Sequence, residues 1–94
     1  MDWNLSVPKG TKAVDVMHAL RKGHAEAAAL EDKGLAPDVE DQMNAAIRAV
    51  DGLWREVAKE DANGQPTGEL VVSLSGSANP GHKADSITVE ISQA

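Results

Sequence analysis

The chain has 94 residues, room for one domain, and its 9 Lys+Arg against 15 Asp+Glu give a net charge of −6. That sign argues against a nucleic-acid or anionic-membrane surface, both of which rely on clustered positive charge. With Trp3 and Trp54 as its only aromatics and no cysteine, the chain also has no base-stacking platform, disulfide, thiolate nucleophile or thiolate zinc site.

The first residues, Met1 to Pro8, show neither the basic region nor the apolar run of a signal peptide, and no stretch is apolar for long enough to span a bilayer. The expectation is a soluble, acidic domain of cytosolic type. Hydrophobic residues make up 41% of the chain, an ordinary globular share, but many are alanines that bury little area. A folded monomer is permitted, and oligomerisation would help it.

Trp3, Leu5 and Val7 alternate with Asp2, Asn4 and Ser6, the period-2 pattern of a half-buried strand that Pro8 and Gly10 stop. Thr11 stands where an N-cap belongs, with Asp15 in the first helical turn. Ala13, Val16, Leu20, Gly23, Ala27 and Leu30 then step by three and four along one helical face. Gly23 in mid-helix points to close approach of a neighbouring element, with a kink as the other reading. Gly34 suits the left-handed position that ends a helix.

Pro37 opens a second helix, with Asp38, Glu40 and Asp41 at its positive end. Val39, Met43, Ala46, Val50, Leu53 and Val57 form its apolar stripe, and Ile47 and Trp54 widen it. So broad an arc suits a helix that touches both a sheet and another helix. The helix is expected to end near Asp61, before the turn-rich run from Asn63 to Gly68.

Leu70, Val72 and Leu74 alternate with polar residues and Val71, and Ile87, Val89 and Ile91 alternate with Ser, Thr and Glu. These read as two strands of a hairpin joined by Gly76–Asp85, a long connection. The order β-α-α-β-β predicts an α+β fold of two layers, a three-stranded sheet with a helical hairpin packed on one face. The first strand pairs either antiparallel with the second or parallel with the third; the pattern leaves both open.

Few residues promise chemistry. The run Gly76-Ser-Ala-Asn-Pro-Gly-His-Lys83 brushes the phosphate-loop pattern, but no hydroxyl follows the lysine and a strand, not a helix, comes next. A hairpin tip explains it, and a recognition loop presenting Asn79, His82 and Lys83 is the functional alternative. His18 and His24 are six residues apart, too far round a helix to share a metal, and His24 is expected at the border of the apolar face as a half-buried, hydrogen-bonded side chain. No nucleophile elbow accompanies the strand serines.

Carboxylates gather on the second helix. Over residues 35–61, Asp38, Glu40, Asp41, Asp51, Glu56, Glu60 and Asp61 face only Arg48, Arg55 and Lys59. Positions 41, 44, 48, 51 and 55 lie opposite the apolar arc, where a solvated helix carries its charge. The functional alternative is an acidic face, including Asp41 and Asp51, that meets a basic partner.

Val72-Ser-Leu-Ser-Gly-Ser-Ala-Asn-Pro-Gly-His-Lys83, followed by Ile87-Thr-Val-Glu-Ile-Ser-Gln-Ala94, resembles the end of a group of small uncharacterised proteins encoded by bacteriophages of actinobacteria. Their pattern is a strand, Ser-Gly-His-Ala-Asn-Pro-Asp-His, a short insert and a closing strand. Here Ala78, Asn79, Pro80 and His82 match, while Ser77 replaces the first histidine and Gly81 the aspartate. Two potential ligands are thereby lost. The match covers about a quarter of the chain and implies a phage origin and a bacterial-cytoplasmic or virion setting, with no activity to carry over.

The expected function is that of a non-enzymatic accessory protein binding another protein, such as a host factor, through Asn79, His82 and Lys83 or through Asp41 and Asp51. No catalytic residue, metal or cofactor is expected, and no nucleic acid or membrane as partner. A structural virion component, such as a head or tail-connector subunit, is the alternative. Homo-oligomerisation is open: Ile47 and Trp54 fit either a dimer interface or, more readily, the core.

Overall fold

The structure is a computed structural model that describes residues 2–77 and 87–94. Strand β1 (Asp2–Ser6) leads through a 3-10 turn (Ala13–Asp15) into helix α1 (Val16–Ala29) and helix α2 (Pro37–Val57). Two short strands follow, β2 (Lys59–Glu60) and β3 (Pro66–Thr67), and then the longer β4 (Leu70–Ser77) and β5 (Ile87–Gln93). The main sheet has the order β1-β4-β5, antiparallel throughout. The first strand thus takes the antiparallel option, with Leu5 opposite Leu74 and Leu74 opposite Val89.

Alternation places the layers as expected. Trp3, Leu5, Leu70, Val72 and Leu74 are buried on the helix side of the sheet, together with Val16, Met17 and Leu20 of α1 and Val39, Met43, Ala46, Ile47, Val50 and Trp54 of α2. Ile47 and Trp54 belong to this core. The guanidinium carbon of Arg55 lies 4.8 Å from the centre of the Trp54 ring, closing its outer side with a cation–π contact. Among the described residues no helix is long and apolar enough to cross a membrane.

Four details of the sequence reading are corrected. Thr11 does not cap a helix: its hydroxyl donates to the Pro8 carbonyl, and the amide of Ala13 is satisfied by Gly68 O at 2.9 Å. Residue 68 is distant in sequence, so local pattern has no access to that partner. Gly34, at φ +77°, closes a separate turn through its amide to Glu31 O, because α1 has already ended at Ala29.

Helix α2 stops at Val57 rather than near Asp61. Lys59 and Glu60 turn extended to pair with Thr67 and Pro66, and Asp61 Oδ1 accepts the amides of Asn63 at 2.8 Å and Gln65 at 2.9 Å. Aspartate here organises a turn by taking backbone donors that a helix would otherwise use. Lastly, the apolar faces run past the sheet. Leu30 is 85% exposed and Leu53 44% exposed, although both continue the buried spacing. The five-residue β1 is too short to lie beneath the far end of α1, so burial fades from Leu20 through half-buried Gly23 and Ala27 to Leu30.

Gly23 is half-buried against the sheet: a Cβ there would stand 3.0 Å from Leu5 Cδ1. Close approach, not a kink, explains it, since α1 continues unbroken through this position.

Candidate functional site

Helix α2 is held on two sides. Toward α1, His24 Nε2 lies 3.0 Å from Glu40 Oε2; with an ionised carboxylate able only to accept, the imidazole N–H is the donor. His24 is half-buried and hydrogen-bonded at the edge of the apolar face, as expected. Toward the sheet, Gln42 is 7% exposed, a polar residue inside the core. Its Oε1 accepts the Trp3 indole N–H at 2.6 Å and its Nε2 donates to Ser77 O at 2.9 Å.

The geometry at Gly76 makes this possible. A Cβ on Gly76 would fall 2.6 Å from Trp3 Nε1, 2.7 Å from Trp3 Cε2 and 2.8 Å from Gln42 Oε1. The missing side chain is the space through which the β1 indole crosses β4 to reach α2. Sequence reasoning missed this site: Gln42 stands outside the apolar stripe read from the spacing, and Gly76 is read as the start of the hairpin connection. The one available signal was a tryptophan in a strand, whose N–H needs a partner when buried.

With both anchors in place, α2 presents Asp41 and Asp51 to solvent, both exposed. Among the described residues the one ion pair is His24–Glu40, so neither aspartate has a cation within salt-bridge distance there. Arg55 is turned onto Trp54. The face opposite the apolar arc is as expected at 41, 48, 51 and 55, whereas Asn44 is half-buried, donating to Glu40 Oε1 at 3.4 Å. Asn79, His82 and Lys83 lie outside the described residues, as does most of the connection that carries them.

An open groove of about 540 Å³ lies between the turn at 8–12 and α1. Lys12, Lys22 and His18 line it alongside Asp15 and Glu26, so its charges are mixed. Among the described residues no three His, Asp or Glu side chains group closely enough to hold a metal ion. All buried side-chain polar atoms described have hydrogen-bond partners.

No family model, curated protein or solved structure matches the chain.

Proposed function

We propose that the chain is a non-enzymatic accessory protein of a bacteriophage that acts by binding a basic surface of another protein through the solvent face of α2. The observation that carries this reading is the pair Asp41 and Asp51, exposed and with no cation within salt-bridge distance among the described residues, on a helix anchored at Glu40 and Gln42. Unpaired carboxylates on a positioned scaffold steer a cationic partner and fix its register. The resemblance of the C-terminal residues to phage proteins supports the origin, and with it the cytoplasm of the infected bacterium or the virion as the setting. The loop with Asn79, His82 and Lys83 is a second contact surface on sequence grounds.

The test is affinity capture from host lysate, followed by titration of the captured protein against the wild-type chain and two double variants. Charge reversal at Asp41→Lys with Asp51→Lys should abolish binding if the helix face makes the contact. Alanines at Asn79 and Lys83 should do so if the loop makes it. Binding unchanged in all variants would reject both surfaces. Recovery of the chain at fixed stoichiometry from purified particles would instead assign it to the virion.

A further inference from the structure

Strand β5 is an edge of the main sheet and, among the described residues, pairs with β4 alone. An edge strand offers a row of unpaired N–H and C=O groups, and proteins that must stay single blunt such edges with proline, lysine, a bulge or brevity. The opposite edge is so blunted: β1 has five residues and is followed closely by Pro8. β5 is not. Its seven residues, Ile-Thr-Val-Glu-Ile-Ser-Gln, contain no proline and no cation, and Ile87 on its helix-facing side is 37% exposed.

The side of α2 above this edge is equally open. Glu40 marks the flank that faces α1, and at 100° per residue the opposite flank carries Ala45, Ala49 and Leu53, with Asp38 and Glu56 towards its two ends. With α1 over β1 and α2 over β4 and β5, that flank lies on the β5 side. Ala45 is exposed, Ala49 half-buried and Leu53 exposed. Leu53, 44% exposed, is thus an apolar residue that the described residues cover only in part.

We propose that a second copy of this chain covers both, pairing β5 to β5 antiparallel about a two-fold axis at Val89 and completing a six-stranded sheet. Strand and helix agree on that axis. Pairing about Val89 sets Ile87 against Ile91 and Thr88 against Glu90 of the second copy, so a hydroxyl meets the carboxylate and the two Glu90 side chains never oppose. On the helix, Gln42 is level with Ser77 through its hydrogen bond. From there, the helix rise over the residues to Ala49 and the strand rise over those to Leu74 both come to about 10 Å. Ala49 therefore stands level with Leu74, whose partner in β5 is Val89.

The same axis thus passes Ala49, and brings Ala45 of each copy level with Leu53 of the other. Two helices that each straddle a β4–β5 pair are two strand spacings apart, about 9.6 Å, which falls within ordinary helix-packing distances. Alanine at the crossing permits that approach. Asp41 and Asp51 lie on the solvent face, so the dimer displays two acidic faces side by side. Because the two copies are alike in net charge, the association should tighten as salt rises, opposite to capture of a basic partner.

The chain has no cysteine, which makes the geometry directly testable. Sedimentation equilibrium of the purified chain should give twice the 9.9 kDa protomer mass, with dissociation on dilution. Ala49→Cys should form a disulfide-linked dimer on mild oxidation, since two helix radii subtracted from the spacing leave about 5 Å between the Cα atoms, inside the disulfide range. Ala45→Cys mixed with Leu53→Cys should cross-link to each other, and Asp41→Cys on the solvent face should not cross-link. Leu53→Glu should return the chain to monomer; if that variant fails to fold by circular dichroism, the wild-type mass and the Ala49→Cys cross-link still decide. A wild-type monomer at all concentrations overturns the proposal and leaves the acidic-face reading intact. So does a dimer in which Ala49→Cys cross-links no better than Asp41→Cys.

Discussion

The indole N–H of Trp3, in the first strand, donates at 2.6 Å to Oε1 of Gln42, in the second helix, 39 residues away. The same amide group, through Nε2, holds the Ser77 carbonyl at the end of β4. One side chain therefore ties β1, α2 and β4 together inside the core, and fixes where along the sheet the helix sits. That placement sets which carboxylates reach solvent and which flank of α2 overhangs β5.

Gln42→Leu should destabilise the fold by about 1–3 kcal/mol, because it leaves a buried indole N–H without a partner. Trp3→Phe in the same background should cost less than it does in the wild type, since the orphaned donor goes with it. Urea denaturation of the two single variants and the double variant gives the coupling directly. Additive effects would show that the hydrogen bond carries no stability.

Two residues along the same helix, Glu40→Gln should matter far less. Its side chain is 40% exposed and that of its partner His24 17% exposed, so solvent screens the interaction and about 0.5 kcal/mol is the expected loss. A cost equal to that of Gln42→Leu would mean that the α1–α2 contact, rather than the α2–sheet contact, locates the helix.

Gly76→Ala adds a methyl where Trp3 and Gln42 already lie within 2.8 Å. Overpacking of this kind costs about 1–3 kcal/mol. The variant should also show changed near-ultraviolet circular dichroism from a displaced Trp3, while the far-ultraviolet signal of the helices is kept.

The glycines of the two helices should respond in opposite ways. Gly52→Ala meets nothing within 4 Å and should stabilise by about 1 kcal/mol through helix propensity. Gly23→Ala places its Cβ 3.0 Å from Leu5 Cδ1, and the strain of moving that leucine should offset the propensity gain. Thermal unfolding of the pair, at concentrations low enough to keep the chain monomeric, separates the two effects.

Leucines on one face of α1 provide a last contrast. Leu20, 1% exposed, should lose about 2–5 kcal/mol on truncation to alanine, whereas Leu30, 85% exposed, should change by less than about 0.5 kcal/mol. Similar losses at both would place Leu30 under cover that the described residues do not provide.

Much of the architecture follows from periodicity. The alternation in residues 2–7, 70–74 and 87–91, and the three-and-four spacing through both helices, determine the elements and which side of each is apolar, because a strand repeats every two residues and a helix every 3.6. Pro37 at the start of α2 is legible for the same local reason, its fixed φ suiting the first helical position. The acidic face at Asp41 and Asp51 follows directly: once the apolar arc is known, the charged residues occupy the remaining side.

Only the tertiary structure decided where each face stops being covered and how polar groups inside are satisfied. Leu30 and Leu53 continue the spacing of buried residues but lie beyond the sheet's reach, and the length of β1 and the width of three strands are not local properties. Gln42 enters the core because an indole from a strand 39 residues away needs an acceptor, and Gly76 because that indole needs a path across β4. The amide of Ala13 is satisfied by Gly68 on the same principle. Hydrogen bonds and steric fit act over a few ångströms in space, whatever the separation in chain, so a pattern of near neighbours determines the elements but not the contacts between them.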